Sequence, residues 1–440
     1  VFPEQALEPD SLRGRVAREV DFPPGRPDAP PCRAACPIGQ DVPAYTAALA
    51  RGDFAEAVAV ICKTNPLPVV CGRLCLHACM HACVRAGLDA PVAIRALKRA
   101  ALEQGGPRPV ARPATERDAR VAVVGAGPAG LAAAFALRRS GWRVTIHEAE
   151  AEPGGLLRWA VPAFELPRAA LRAEIDALLA AGIELRLGAR VEGLAGLEAL
   201  FAAGAAAVVL ATGAGRGRVP DLPGAGLEGV VDGVRFARAH ADGQGPRLSG
   251  PAVVVGAGLV GLAAARLAVR AGAAPVRLVS SRPASEAPHP EGLALAREEG
   301  VELVAERRAV ELVGDGGALR AVRLAPALVG PPDAVGRRWP VALGGAAGAA
   351  LELPARLFVA AEERVPELGG LQGAPGLRLG PLGNLEVERA SFATGLPRVY
   401  AAGELATGAR NAIEAIATGI RAAVAVERQL RAARGQGGAS

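Results

Sequence analysis

The sequence predicts a mixed α/β protein in which two parallel-sheet units follow a small α-helical domain, and three observations carry that prediction. A strand–glycine–helix unit, Val121–Val124 running into Gly125-Ala-Gly-Pro-Ala-Gly130, recurs as Ala252–Val255 and Gly256-Ala-Gly-Leu-Val-Gly261. All seven cysteines fall between Cys32 and Cys83, ahead of both units. Of 440 residues, 51% are apolar and 21% charged, the balance of a chain with buried cores. At about 100–200 residues per domain, that length calls for more than one.

Composition excludes several functions. Aromatics are 3% of the chain, too few for the base-stacking platforms of a nucleic-acid binder. The formal charge of +6 comes almost wholly from arginine, with Lys63 and Lys98 the only lysines, and no long like-charge run marks a polyanion site. The best membrane candidate, Leu200–Gly215, is shorter than the ~20 residues a spanning helix needs, so no direct membrane insertion is expected. No secretion signal opens the chain, which makes a cytoplasmic location the expectation. In that reducing compartment clustered cysteines tend to be metal-bound or catalytic.

The elements follow in order. Val1–Pro31 is rich in Pro and Arg without a hydrophobic period and reads as an extended arm, a candidate docking segment. Val42, Tyr45, Leu49, Phe54, Val58 and Ile61 mark two short helices broken near Gly52–Asp53. Asn65–Pro68 is a turn, Pro91–Leu102 a further helix and Gly105–Arg120 a linker. Strand Val121–Val124, helix Leu131–Ser140 and strand Arg143–His147 build the first unit; a helix to Ala271 and strand Val276–Ser280 build the second. Val399–Ala402 is a strand leading into Gly403-Glu404 and an amphipathic helix, Ala409–Leu430.

Each G-x-G-x-x-G follows a strand and opens a helix, the context that makes a Rossmann-like nucleotide site. In the first, Gly125, Ala126, Gly127, Pro128, Ala129 and Gly130 let the backbone and a helix N-terminus approach a pyrophosphate. Glu148, ending the next strand, is placed to bind ribose hydroxyls. The second, Gly256, Gly258 and Gly261, has Ser280-Ser281-Arg282 where a carboxylate would stand. That suits a 2′-phosphate and favours NADP(H) over NAD(H); the alternative is a nucleotide fold without its ligand. Cys32-x3-Cys36 and Cys71-x3-Cys75-x3-Cys79-x3-Cys83 suit an iron–sulfur cluster or zinc, because soft thiolates favour both. His77 and His81 inside the ladder keep zinc open, with inert thiols a third possibility. Cys62 reads as a buried helix residue.

Asn65-Pro-Leu-Pro-Val-Val-Cys-Gly-Arg-Leu-Cys75, Cys79, Cys83 and Pro91-Val-Ala-Ile-Arg-Ala-Leu-Lys-Arg99 resemble the iron–sulfur domain of the glutamate synthase small subunit. That module also occurs in dihydropyrimidine dehydrogenase and in electron-bifurcating NADH-dependent ferredoxin:NADP oxidoreductase. Gly154–Pro162, Ala211-Thr-Gly213 and Ala402-Gly403-Glu404 resemble the same family's flavin segments, and the likeness runs over residues 30–430. It implies an arm at 1–31, a helical iron–sulfur domain at 32–104, a linker at 105–118, and an FAD domain split into 119–225 and 351–440 by an inserted NAD(P)H domain at 226–350. It places Gly155 and Leu156 beside the flavin, Thr212-Gly213 over the cofactor and Gly403-Glu404 at the ribityl chain. The last helix would aim its N-terminus at the flavin pyrimidine.

The sequence departs from the family pattern at several positions. No C-x-x-C precedes Cys32, so Cys32 and Cys83 make half of a first site. The second maps onto Cys36, Cys75 and Cys79, with Lys98 at the family's non-cysteine ligand position and Cys71 the nearest substitute. One [4Fe-4S] cluster is expected, and a second only with an unusual ligand. Leu259, Ala263 and Ser281 replace family nucleotide contacts, and Glu404 replaces an aspartate. No cysteine follows the linker, which excludes disulfide chemistry of the thioredoxin-reductase kind.

The resemblance implies an electron-transfer flavoenzyme subunit linking NAD(P)H, FAD and the cluster to a larger redox or catalytic subunit or a ferredoxin-like carrier. No catalytic side chain is expected, because the cofactors carry that chemistry. The alternatives are an FAD and iron–sulfur conduit that no longer uses NAD(P)H, and a zinc-stapled scaffold.

Overall fold

The computed structural model describes residues 29–106, 110–332, 338–342 and 350–437. The expected arm therefore falls almost wholly outside the described residues, as does 107–109 of the linker. The helical domain comprises α1 (Pro31–Ala34), α2 (Val42–Ala50), α3 (Phe54–Cys62), α4 (Pro68–Leu74), α5 (Ala78–His81) and α6 (Ile94–Gly105). The break between α2 and α3 is a capping event: Asp41 accepts from Ala44 N and Asp53 from Glu56 N, each satisfying an orphan N–H of its helix. Tyr45, Ile61 and Ile94 are fully buried at the centre of this domain. The helix expected from Pro91 begins at Ile94, the residue that packs into that core.

The first unit then runs β1 (Arg117–Val124), α7 (Pro128–Arg139), β2 (Trp142–His147), α8 (Leu156–Trp159), α9 (Arg168–Leu179), β3 (Glu184–Arg186), α10 (Gly193–Ala202) and β4 (Ala205–Leu210). β1 starts ahead of the expected Val121, on residues that alternate in burial before the strand becomes wholly buried. α7 starts at Pro128 rather than Leu131, since proline suits the first helical turn, where its missing N–H costs nothing. After β5 (Arg216–Arg218) come β6 (Val230–Asp232), α11 (Gly233–His240), β7 (Ala252–Val255), α12 (Leu259–Ala271), β8 (Val276–Val279), α13 (Pro290–Glu298) and β9 (Val301–Val304). β10 (Arg307–Asp315), β11 (Ala318–Pro332), β12 (Arg338–Ala342), β13 (Leu351–Pro354), β14 (Leu357–Ala360), β15 (Glu363–Val365), β16 (Val399–Ala401), α14 (Glu404–Thr407) and α15 (Ala412–Gly437) complete the chain.

Two five-stranded parallel sheets result, β16-β4-β1-β2-β3 and β6-β14-β7-β8-β9. Their central strands are continuous apolar runs, as sheets covered by helices on both faces require. The return of β16 to pair with β4 makes the second sheet an insertion in the first unit. That insertion takes in β13 and β14, past residue 351, where the first domain was expected to resume. The antiparallel pair β5–β15 ties the two crossings together.

The helical domain packs Leu67, Val70 and Cys71 into the core of the first unit, and a buried carboxyl group joins the two. Glu174 of α9, 6% exposed, accepts from Val69 N (2.5 Å) and Val70 N (3.1 Å) at the start of α4. Burial pushes its carboxyl up from 4.5 to about 8, against the two N–H donors. The native state thus keeps a proton that the unfolded chain releases, and this stabilisation is lost as pH rises from about 4.5 through about 8. Thermal unfolding across that range should show stability falling with pH, and Glu174→Gln should flatten the slope.

Candidate functional site

The first glycine loop spans the carboxyl end of β1 and the start of α7, at the centre of its sheet, where open α/β sheets bind nucleotides. Its glycines have different tasks. A Cβ at Gly130 would fall 1.9 Å from Gly125 O and one at Gly125 2.5 Å from Ala211 O, so both are there for close backbone packing. A Cβ at Gly127 would meet nothing nearer than Gly155 Cα at 4.0 Å, leaving a cleft open above the helix N-terminus. Gly155 caps α8 with a positive φ of 54°, and a Cβ there would stand 3.0 Å from Gly127 Cα. Two backbones thus bound a groove that any larger residue would narrow, which fits the passage of a pyrophosphate.

Glu148, 7% exposed, is held for service at this groove: Oε2 accepts from Ala126 N (2.6 Å) and Oε1 from Glu150 N (2.9 Å). Thr212 donates to Glu367 O, while Gly213 O accepts from Glu367 N, closing the loop after β4. Gly403 caps α14 at φ 67° and donates to Thr418 Oγ1 of α15 (2.9 Å). Ala129, Leu156, Thr212 and Gly403 therefore stand around the carboxyl ends of β1, β4 and β16. Glu404 is differently engaged. Its carboxylate is gripped by both Arg364 guanidinium nitrogens and by Arg410 N (2.7 Å), with both side chains nearly buried. Sequence reasoning missed Arg364, which arrives on β15 from the far side of the insertion. α15 begins at Ala412, not Ala409, because Asn411 caps it by accepting from Glu414 N (3.1 Å).

At the second loop a cavity of about 260 Å3 collects Gly256, Ala257, Gly258, Ser280, Ser281 and Arg282. The glycine division recurs: a Cβ at Gly261 would strike Gly256 O at 1.7 Å, whereas one at Gly258 would enter open space. Ser280 Oγ accepts from Arg282 N (3.1 Å), fixing the turn that presents the arginine, and Glu286 lies 3.8 Å from its guanidinium. Pro288, Val329, Ala361, Glu362 and Glu363 close the cavity without any motif to announce them. Crowding by surrounding protein raises the Glu362 carboxyl pKa, with Arg308 opposing.

The thiols divide into groups. Cys36, Cys75 and Cys79 interact electrostatically with one another, and Cys32 with Cys83 and Cys36. Burial pushes Cys79 up to about 12, its neighbouring thiols adding to the shift. His77 N donates to Cys75 Sγ (3.4 Å). Lys98, 7% exposed, sets its charge beside Cys71, Cys75 and Cys79. Cys71 lies in the core with Leu67 and Val70, where its thiol donates to Asn65 Oδ1 and burial raises its pKa. Cys62, expected to be buried, is half-buried at the end of α3 and lines the cleft between the helical domain and α7. Among the described residues no three His, Cys, Asp or Glu side chains converge tightly enough to hold a single metal ion. The histidines that kept zinc open turn elsewhere, His77 Nε2 meeting Glu291 Oε1 at 3.1 Å and its ring packing on His81. A thiol-rich, positively flanked donor set of this kind fits a thiolate-bound cluster.

Comparison with known proteins gives two family matches, pyridine nucleotide-disulphide oxidoreductase over residues 119–419 and dihydropyrimidine dehydrogenase domain II, 4Fe-4S cluster, over 27–106. The chain is 35% identical to the NADP(+)-dependent formate dehydrogenase subunit beta of Moorella thermoacetica, over 91% of this chain and 60% of that one. It is 30% identical to the glutamate synthase [NADPH] small chain of Azospirillum brasilense, over 92% and 87%. It thus spans less than two thirds of the first relative and most of the second. In fold it is similar to Mycobacterium tuberculosis FprA, solved with NADPH, at a TM-score of 0.60 and 19% identity over 73% of this chain and 86% of that one.

Proposed function

This chain belongs to the pyridine nucleotide-disulphide oxidoreductase family, with a 4Fe-4S domain ahead of it, and from that premise we propose that it passes electrons between NAD(P)H, FAD and one [4Fe-4S] cluster, to or from a larger redox or catalytic subunit or a ferredoxin-like carrier. The observation that carries this reading is the presence, in one chain, of two glycine cradles open at their middle glycines and a set of partly buried thiols in which Cys75 accepts from His77 N. Among the described residues no single helix is long and apolar enough to cross a membrane. The seven free thiols suit a reducing compartment such as the cytoplasm.

Bound FAD supplies the exchange between two-electron hydride chemistry and single-electron transfer. The chain's own residues bind and orient. Glu148 holds the adenosine ribose, and Gly127 with the α7 N-terminus receives the pyrophosphate. Gly155, Leu156, Thr212, Gly213 and Gly403 enclose the ring and its ribityl chain. The α15 N-terminus favours negative charge nearby. Arg364, by taking up Glu404, fixes the turn into α14. Cys36, Cys75 and Cys79 supply thiolates to the cluster, with Cys32 and Cys83 beside them. The N–H of His77 and the ammonium of Lys98 offset their negative charge. Gly256, Gly258 and Gly261 receive the pyridine nucleotide, with Ser280, Ser281 and Arg282 on its 2′-phosphate.

A second reading, an FAD and iron–sulfur conduit without its own pyridine-nucleotide reaction, draws on Glu362 and Glu363, two carboxyl groups in a cavity that would take a polyanion. Anaerobic stopped-flow mixing separates the two. NADPH should bleach the flavin and then the cluster, faster than NADH does. Arg282→Ala should narrow that preference by roughly 1.5–3 kcal/mol, the worth of a charge-assisted contact. Equal or faster reduction by NADH would overturn the NADP assignment. Reduction by dithionite but by neither nucleotide would establish the second reading.

A further inference from the structure

The N-terminal end of helix α13 in the inserted unit stands between the nucleotide cavity and the thiols. Pro288 lines the cavity with Ser281 and Arg282. Three residues further on, Glu291 reaches the helical domain, where its Oε1 meets His77 Nε2 (3.1 Å) and its Oε2 accepts from Arg95 (2.6 Å). Both partners are bound in turn to Cys75: His77 N donates to its Sγ (3.4 Å), and Arg95 donates to its backbone oxygen (3.2 Å). Between cavity and ion pair, Pro288 and Pro290 fix two of the intervening φ angles, so the tether is short and stiff. His77 itself is nearly buried and holds a left-handed backbone (φ 44°) that few non-glycine residues adopt, so its position is tightly determined.

We propose that Glu291 is a positioning residue that couples occupancy of the pyridine-nucleotide cavity to the redox state of the cluster at Cys75. The inference rests on the proposed function, since it needs both ligands in place. Its physical basis is that the same two residues face both Cys75 and Glu291, each through different nitrogens. One electron added to the cluster adds one negative charge at Cys75, which draws His77 and Arg95 toward the sulfur and away from Glu291. A nucleotide seated against Arg282 and Pro288 acts on the other end of the same tether. A ligand shifts an equilibrium only through such a difference between states, and the coupling is reciprocal: whatever the nucleotide does to the cluster's reduction, reduction does to nucleotide affinity.

The test is an anaerobic redox titration of the full chain with dithionite, reading the reduced cluster by electron paramagnetic resonance, with and without saturating NADP+. In the native protein NADP+ should displace the midpoint by the equivalent of about a tenfold change in affinity, which is about 59 mV for a one-electron centre. Glu291→Gln should keep its iron and its NADP+ binding but lose most of that displacement, and Arg95→Gln, which breaks the same link from the other side, should do likewise. Glu298→Gln, on the same helix, should retain it in full. A displacement undiminished in both Glu291→Gln and Arg95→Gln would overturn the proposal, as would none in a native protein shown to bind both iron and NADP+. A native chain that bound no iron or no NADP+ would instead bring down the functional reading, and this inference with it.

Discussion

Gly127→Val should yield a folded, colourless protein. The backbone at Gly127 is extended at φ −76°, a conformation that valine adopts freely, and the nearest atom to an added Cβ is 4.0 Å away. The side chain would therefore cost the fold little while standing in the groove that Gly155 bounds from the other side. Losing two or more charge-assisted N–H contacts to a pyrophosphate removes roughly 3 kcal/mol or more of binding, a hundredfold or greater weakening. Bound FAD should fall below detection after gel filtration, while iron content stays near native and thermal unfolding matches that of native protein stripped of its FAD. Gly130→Val is the contrasting case, since a Cβ there would overlap Gly125 O and disrupt the loop itself. A Gly127→Val protein that kept stoichiometric FAD would refute the assignment of this groove.

Single serine substitutions at Cys36, Cys75 or Cys79 should abolish the cluster, taking iron from about four per chain to near zero in anaerobically purified protein. Cys62→Ser should keep its iron, because Cys62 lies at the end of α3 in a different cleft. Cys71→Ser is the sharper comparison. The family resemblance made Cys71 a substitute ligand, but its thiol donates to Asn65 within an apolar core. That variant should retain the cluster and lose stability. Loss of iron from Cys71→Ser in a protein otherwise folded would restore Cys71 to the ligand set, and zinc without sulfide in the native protein would remove the cluster altogether.

What could be read along the chain was what depends on near neighbours. A strand, a glycine loop and the first turn of a helix are contiguous, so Gly125–Gly130 and Gly256–Gly261 declared two nucleotide cradles, and Glu148 followed from the strand after the first. The cavity around Ser280–Arg282 lies where that local logic places it. Cysteine spacing declared a thiol site, and the resemblance of the whole motif order declared the insertion of one unit in the other, seen in the pairing of β16 with β4. Helix starts were less legible, because at Pro128, Ile94 and Ala412 they turn on a proline, a core contact and a capping side chain.

The residues that reading along the chain missed meet partners far away in sequence. Arg364 takes hold of Glu404 only because β15 pairs with β5 after the chain has built the entire insertion. Glu362 and Glu363 enter the nucleotide cavity because β14 lies beside β7, a neighbour set by sheet order. Glu174 caps α4 across a domain boundary, and Glu291 meets His77 and Arg95 across another. By itself the sequence determined the cofactor classes and pointed to the loops proposed to cradle them, since close backbone approach to a phosphate demands glycine at fixed spacing whatever the rest of the fold does. Which carboxylates are buried, which thiol is a core residue, and which arginine neutralises Glu404 were decided only by tertiary structure. Burial and charge pairing depend on what packs from other elements, and no local pattern encodes that.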